Sequence, residues 1–184
     1  MSDSLAPAPL TLEAALDRMA LEQLVVTYCH AIDRRDLALV RSLYHDDAVD
    51  DHGAMFCGSP DEYVAWLPAM LANWQATRHA VGNMLFLIQG DIANGEIPTT
   101  AWHRTADGTR DLIANGRYLD QYARRGGVWK FLRRNLVLDW MEERAVAPSP
   151  GGEVDDGVEL GRAGPDDPVY ARLPLFGADR LRRA

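Results

Sequence analysis

The fold is decided by residues 81–142, which read VGNMLFLIQGDIANGEIPTTAWHRTADGTRDLIANGRYLDQYARRGGVWKFLRRNLVLDWME. The periodicity predicts four strands of unusual length, at residues 81–89, 92–104, 111–124 and 128–142. Between them lie residues 90–91, 106–108 and 125–127, which are short and contain glycine, as hairpin turns do. Short turns join antiparallel neighbours, so the segment predicts a meander of long antiparallel strands.

Three helices are predicted before the meander. Thr11 is a helix N-cap, and the apolar residues that follow it recur at helical spacing to about residue 34. Asp36 caps a second, shorter helix, and Ser59 with Pro60 begins a third helix that Pro68 is expected to kink or interrupt. Residues 48–58 read as a strand or hairpin, and residues 45–47 as a solvated turn. The pattern predicts an α+β fold, with three N-terminal helices packed in a strongly curved antiparallel sheet.

Length and composition indicate one globular domain. The chain has 184 residues, of which 47% are hydrophobic and 25% are charged, and this balance is typical of globular proteins. We expect a flexible leader at residues 1–10, the domain at residues 11–147 and an extended tail at residues 148–184, which is rich in Pro, Gly and Asp. Residues 167–176 of the tail are apolar enough to dock on another surface.

Charge and cysteine usage argue against several functional classes. A formal net charge of −8 gives no positive footprint for nucleic acid or an anionic membrane surface. The sequence has no run of eighteen apolar residues that would predict a membrane span, and its N-terminus lacks the features of a secretory signal. Cys29 and Cys57 lack metal-ligand spacing, so a reducing cytoplasm is the expected location. Asp50, Asp51 and His52 read as surface residues rather than metal ligands.

An acidic residue and a histidine carry the most chemical information. Asp33 closes the apolar segment of the first helix, at the end where the helix dipole disfavours an acid. His79 opens the strand-like run at residues 78–88. A carboxylate that accepts the Nδ1–H of an imidazole fixes its tautomer and leaves Nε2 free as a base. If the fold brings these two residues together, they form a proton-abstracting pair.

Other polar candidates lie near this pair in sequence. Tyr28 lies five residues before Asp33, or about 140° around an ideal helix, so both reach one pocket only if that pocket wraps the helix end. His30 lies nearer to Asp33 on the helical wheel and is the rival partner. His103 and Trp102 are adjacent on one strand, so they cannot both face a pocket.

An apolar pocket needs bulky hydrophobic walls, and the chain offers several aromatic and methionine side chains for them. The candidates for contact with a substrate are Trp66, Met84, Phe86, Trp102 and Trp140. The same side chains suit ordinary core packing equally well.

Several motifs together resemble the nuclear transport factor 2-like superfamily. More narrowly they resemble its SnoaL-like branch, which contains scytalone dehydratase, bile-acid 7α-dehydratase and γ-hexachlorocyclohexane dehydrochlorinase. The matching pieces are residues 28–33, 43–48, 79–83, 90–93, 116–120 and 127–130, with Asp139 and Trp140, and the resemblance covers about residues 12–145. It implies a cone-shaped α+β barrel.

The resemblance also implies roles for individual residues. In the related lyases an Asp–His dyad takes a proton from carbon while a leaving group departs, and the matching residues here are Asp33 and His79. Tyr28 is similar to the tyrosine that the bile-acid dehydratases place in their pocket, and His103 stands where scytalone dehydratase has a second histidine. The dehydrochlorinases instead have a lysine near the Tyr28 position, and its absence here disfavours that chemistry.

The leading hypothesis is a cofactor-free, metal-free lyase, a dehydratase that acts on a bulky hydrophobic hydroxylated ketone of the steroid or polyketide kind. The alternatives left open are a ketosteroid-type isomerase, a polyketide cyclase, and a non-catalytic module such as the β subunit of a ring-hydroxylating dioxygenase. The related lyases imply a homotrimer or homodimer. The expected partner is a small hydrophobic substrate, with neither nucleic acid nor a membrane.

Overall fold

The computed structural model describes residue 9, residues 11–147 and residues 157–176. Apart from residue 9, the predicted flexible leader lies outside the described residues, as does the first part of the predicted tail. The helices are α1 (Leu12–Asp33), α2 (Leu37–Ser42), α3 (Pro60–Leu71) and α4 (Pro168–Arg172), followed by a turn of 3₁₀ helix at Pro174–Phe176. The strands are β1 (Tyr44–Asp51), β2 (Cys57–Gly58), β3 (Trp74–Val81), β4 (Leu85–Gln89), β5 (Ile92–Thr105), β6 (Arg110–Arg125) and β7 (Val128–Ala145).

The first three helices begin at the caps that the sequence predicts. The side chains of Thr11, Asp36 and Ser59 each accept a backbone N–H from three residues further along the chain. Glu62 reaches back to the backbone N–H of Ser59 and completes a capping box. The α3 helix continues through Pro68 to Leu71, so the predicted interruption at this proline is wrong.

A curved sheet of seven strands wraps the helices and confirms the predicted α+β class. Its order is β2-β1-β7-β6-β5-β3, with β4 also paired to β5. The β5, β6 and β7 strands form the predicted antiparallel meander. The β1 strand, however, runs parallel to β7, so the sheet is mixed rather than wholly antiparallel. This pairing joins strands that are distant in sequence, and no local turn signal announces it.

Three predicted local assignments are wrong. The run at residues 81–89 is not one strand, because β3 ends at Val81 and β4 begins at Leu85. The β3 strand also begins at Trp74, so His79 lies well inside a strand rather than at its start. Residues 45–47 belong to β1 instead of a solvated turn, and His45 is buried, with Nε2 2.9 Å from the carbonyl oxygen of Ala123.

The hydrophobic core lies between the concave face of the sheet and helices α1 and α3. Its completely buried side chains include Leu21, Val25, Leu67, Ile97 and Phe131. None of the helices in the described part of the chain is long and apolar enough to cross a membrane.

A fully buried ion pair lies inside this core. Arg134 makes two hydrogen bonds to the Asp120 carboxylate, at 2.9 and 2.7 Å. Its guanidinium carbon also lies 4.1, 3.9 and 4.2 Å from the ring centroids of Tyr28, Tyr118 and Phe131. A buried charge pair needs such additional contacts to offset the loss of water. The pair therefore fixes β6 and β7 against the helix that carries Asp33.

The C-terminal segment folds back onto the end of α1. The backbone N–H of Gly164 donates to the Arg34 carbonyl at 3.1 Å, and the Arg34 guanidinium donates to Asp167 at 2.5 Å. The Tyr170 and Phe176 rings lie against His30, with centroid distances of 6.3 and 5.3 Å. The apolar part of the tail thus docks on its own chain, as its composition suggests.

Candidate active site

Asp33 and His79 meet at the junction of α1 and β3. The Asp33 Oδ1 atom lies 2.7 Å from His79 Nδ1, although the residues are 46 positions apart. Each side chain is only 10% exposed. Within the described residues, His79 Nε2 has no hydrogen-bond partner. The geometry therefore holds Nδ1 against a carboxylate and leaves Nε2 available, as a general base requires.

The Asp33 carboxylate is held by three donors from one strand. The backbone N–H of His79 donates to Oδ2 at 2.9 Å, and the Thr77 hydroxyl donates to Oδ1 at 2.9 Å, beside the His79 ring. Burial alone would raise the pKa of Asp33, but the hydrogen bonds from His79 and Thr77 outweigh it and lower the pKa. Asp33 therefore stays ionised and keeps the imidazole oriented.

Strand alternation explains why β3 supplies these groups together. Thr77 and His79 are two residues apart, so both side chains point to the concave face. In the β3–β5 register Thr77 lies opposite His103, and His79 lies opposite Ala101. His103 therefore also faces inward, beside His79.

A second imidazole flanks the dyad. The His103 ring stands edge-on to His79 with centroids 5.4 Å apart, and its other neighbour is the Trp74 ring at 4.9 Å. Burial, together with the nearby His79, lowers the pKa of His103 to about 4. His103 is thus neutral at neutral pH, so it can donate or accept a hydrogen bond without adding charge.

Tyr28 is placed away from the dyad. It is 1% exposed, and its hydroxyl lies 2.7 Å from the Tyr63 hydroxyl. Burial raises its pKa well above the ordinary value for tyrosine. As the helical wheel indicates, Tyr28 faces the aromatic core while Asp33 turns toward β3. The alternative partner His30 contacts the C-terminal segment instead.

Two of the proposed pocket tryptophans lie on the convex face of the sheet. Trp102 alternates with His103 and packs against the Arg104 guanidinium at 5.3 Å. Trp140 is 53% exposed and pairs with Asn115, whose amide oxygen accepts a hydrogen bond from Thr100 on the same face. The prediction that Trp102 and Trp140 line the pocket with His103 is therefore wrong, because the side-chain alternation sends them outward.

The other three pocket candidates are inside or beside the helical layer. Trp66 is half-buried and stacks on Phe56 at 5.3 Å. Phe86 is 8% exposed and belongs to the core. Met84 borders a groove of about 570 Å³ and accepts a hydrogen bond from Arg18 through its carbonyl. Neither a hydrogen bond nor a ring contact links the three side chains to the dyad within the described residues, so their contact with a substrate stays a prediction.

A second carboxylate–histidine pair was not recognised in the sequence. Asp50 is completely buried, and its Oδ1 lies 2.6 Å from His52 Nδ1 while its Oδ2 accepts from the Tyr44 hydroxyl at 2.6 Å. The His52 ring stacks on Tyr63 at 5.5 Å. The expectation that Asp50 and His52 are surface residues is wrong. Asp50 lies near the end of β1 and His52 directly follows that strand, so their i, i+2 spacing with nearly extended backbone is the signal that could have paired them.

The sequence pattern also failed to identify three further residues near the dyad. Thr77 bonds Asp33, Trp74 packs on His103, and Arg35 donates to the Trp74 carbonyl at 2.6 Å. Only the alternation of Thr77 with His79 is visible in the sequence. The other two contacts arise where α1 ends against the start of β3.

Comparison with known proteins adds a family and a fold. A model of the SnoaL-like domain matches residues 13–135. An uncharacterized protein of Mycobacterium tuberculosis is 27% identical over 121 residues, covering 64% of this chain and 82% of that protein.

Two solved structures share the architecture. One, from Novosphingobium aromaticivorans and named provisionally as a scytalone dehydratase, has a TM-score of 0.66 at 24% identity and covers 76% of this chain and 97% of its own. The other, a LinA-type3 hexachlorocyclohexane dehydrochlorinase from Novosphingobium barchaimii, has a TM-score of 0.67 at 21% identity and covers 74% and 94%. At these identities the likeness shows a common fold.

Proposed function

Because the chain belongs to the SnoaL-like domain family, we propose that it is a cofactor-free lyase that eliminates water from a bulky hydrophobic hydroxylated ketone. The observation that supports this proposal is the Asp33–His79 contact of 2.7 Å, with Nε2 left unbonded within the described residues. The names of two structural neighbours, a dehydratase and a dehydrochlorinase, are those of elimination enzymes.

The proposed reaction begins with proton removal beside the ketone. His79 Nε2 takes the C–H proton, and the electron pair of that bond is delocalised onto the carbonyl as an enolate. Re-formation of the carbonyl makes a carbon–carbon double bond and breaks the bond to the departing hydroxyl. The imidazolium then returns its proton to the leaving group, so that water is released and the enzyme is regenerated.

Two neighbours assist the base in this scheme. Asp33 stays ionised and stabilises the imidazolium that forms on His79, as a buried carboxylate beside a histidine does. The neutral His103 donates a hydrogen bond to the carbonyl oxygen or to the departing hydroxyl. Tyr28 is bonded to Tyr63 in the core, so we assign it to packing and give the hydrogen-bonding role to His103.

The experiment uses a panel of hydroxylated 3-ketosteroids and aromatic polyketides with wild-type protein. Elimination lowers the product mass by one water and lengthens the conjugated system, whereas isomerisation leaves the mass unchanged. This readout separates the lyase from the ketosteroid-type isomerase, which would use the same base. If the wild-type protein transforms none of these compounds, the result would favour the non-catalytic module instead.

Two matched variants test which histidine is the base. An asparagine amide can replace the Nδ1–H donor of histidine but supplies no equivalent of Nε2. His79→Asn should keep the bond to Asp33 and lower kcat/KM by about 10²–10⁴-fold, the usual contribution of a general base. His52→Asn should keep the bond to Asp50 and retain activity. Equal activity in wild type and H79N, or loss only in H52N, would refute the assigned base.

Two parts of the hypothesis stay predictions. One is the homotrimer or homodimer, and the other is the steroid or polyketide nature of the substrate.

A further inference from the structure

Three consecutive residues at the end of α1 contact two other parts of the molecule, the β3 strand and the C-terminal segment. Asp33 binds Thr77 and His79, and Arg34 binds Asp167 of the C-terminal segment. Arg35 donates through Nη2 to the carbonyl oxygen of Trp74 at 2.6 Å. The third contact joins the helix end to the first residue of the strand that carries His79.

Arg35 occupies a backbone conformation that suits glycine. Its φ is 55°, and it is the only non-glycine residue with positive φ in the described part of the chain. The surrounding hydrogen bonds are those of a Schellman motif, since Arg35 N–H donates to Ile32 and Asp36 N–H donates to Ala31. Glycine is the usual residue at this position because it has no Cβ to strain. The helix ending therefore does not explain why an arginine stands here.

The guanidinium contact supplies a reason that the helix ending does not. Trp74 begins β3, and the register of β3 against β5 shifts between Trp74 and Ala76. The Trp74 ring also packs on His103 at 4.9 Å. A bond from Arg35 to the Trp74 carbonyl therefore fixes the irregular start of β3 relative to the end of α1, and with it the tryptophan that covers His103.

We propose that Arg35 is a positioning residue, which ties the start of β3 to the end of α1 so that Asp33 and His79 stay in register. The proposal deepens the proposed function, because it concerns how the base is held. Its test needs no substrate, however, so it can fail or succeed independently of the lyase reaction.

The test follows the Nδ1–H proton of His79 by ¹H–¹⁵N NMR on the full chain. In Arg35→Gly, glycine relieves the backbone strain while the bond to Trp74 is lost, so the melting temperature should be unchanged or higher. The solvent exchange of the His79 Nδ1 proton should nevertheless accelerate by at least about 10-fold, because the pair separates more often. The Nδ1 proton of His52 is the reference within the same spectrum and should not change.

Arg35→Lys distinguishes the contact from general destabilisation. Lysine keeps a donor that can reach the Trp74 carbonyl, so the exchange rate of the His79 proton should stay within about 3-fold of wild type. The proposal is overturned if R35G exchanges this proton at the wild-type rate. It is also overturned if R35G and R35K are impaired alike, or if the His52 proton is deprotected together with that of His79.

Discussion

His103 is the residue at the site whose protonation the fold suppresses most clearly. Its pKa falls from an ordinary 6.5 to about 4, first because it is buried and second because His79 is close. The unfolded chain therefore binds a proton at a higher pH than the folded protein does. By linkage, stability is complete above about pH 6.5 and is lost as the pH falls toward 4.

This linkage predicts that the stability of wild type depends more strongly on pH than that of His103→Gln. Between pH 6.5 and 4 the wild-type free energy of unfolding should fall more steeply, by up to about 1.4 kcal/mol per pH unit, because glutamine takes up no proton. Urea unfolding at successive pH values measures the two slopes. Asp33 is present in both proteins, and its lowered pKa makes its own contribution fall mainly at more acidic pH. If the free energies of unfolding of the two proteins fall in parallel with pH, His103 is not protected from protonation.

The residues of the dyad and the neighbouring His103 could be predicted from the sequence, whereas the rest of their surroundings could not. An acid at a helix C-terminus and a histidine in an apolar strand were both out of place, and a family resemblance joined them. Asp50 and His52 looked like a polar surface, because nothing local shows that Tyr44 and Tyr63 enclose them. Arg35 gave no signal either, since the sequence has no glycine to mark the end of the helix.

At the scale of elements, one glycine lets β6 and β7 approach each other. A Cβ built on Gly116 would lie 2.3 Å from the carbonyl oxygen of Val137. The register of the two strands shifts at this point, between Asn115 and Gly116. Such a bulge bends the sheet, and the bend lies about four residues along β6 from Leu112, which pairs with His103.

Gly116→Ala should therefore destabilise the protein by about 1–3 kcal/mol, the usual cost of overpacking. Gly82 is the matched control, because a Cβ there meets no atom within 4 Å, and Gly82→Ala should change stability by less than about 0.5 kcal/mol. Chemical denaturation of both variants measures the difference. Equal stability of the two variants would mean that the β6–β7 contact relaxes without strain.

Helices and strands were predicted correctly where neighbouring residues in the sequence mark them. They were predicted wrongly where contacts between distant residues decide the structure. Caps and glycine-containing turns placed three helices and the β5–β7 meander. The start of β3 was missed because two of its inward residues, Thr77 and His79, are polar. They bind Asp33, which hides the usual apolar alternation. Strand alternation showed that Trp102 and His103 could not share a pocket, but only the packing of the whole sheet decides which one faces inward.

At the scale of the whole molecule, the site depends on contacts between distant segments. The end of α1 is hydrogen-bonded to β3 and to the C-terminal segment. The buried Arg134–Asp120 pair joins β6 and β7 beneath the same helix. A parallel β1–β7 pairing extends the meander, and β2 pairs with the other side of β1. The dyad therefore depends on the folding of several distant segments together. Its protonation state should be measured in the intact protein.

The central claim is that Asp33 holds His79 with Nε2 free to take a proton. Long-range ¹H–¹⁵N NMR of the native protein at neutral pH reads the tautomer of each histidine ring from its two nitrogen shifts. The account predicts that neutral His79 carries its proton on Nδ1, with Nε2 unprotonated. In Asp33→Asn this preference should weaken, because the carboxylate acceptor is lost. A native His79 protonated on Nε2 would contradict the account.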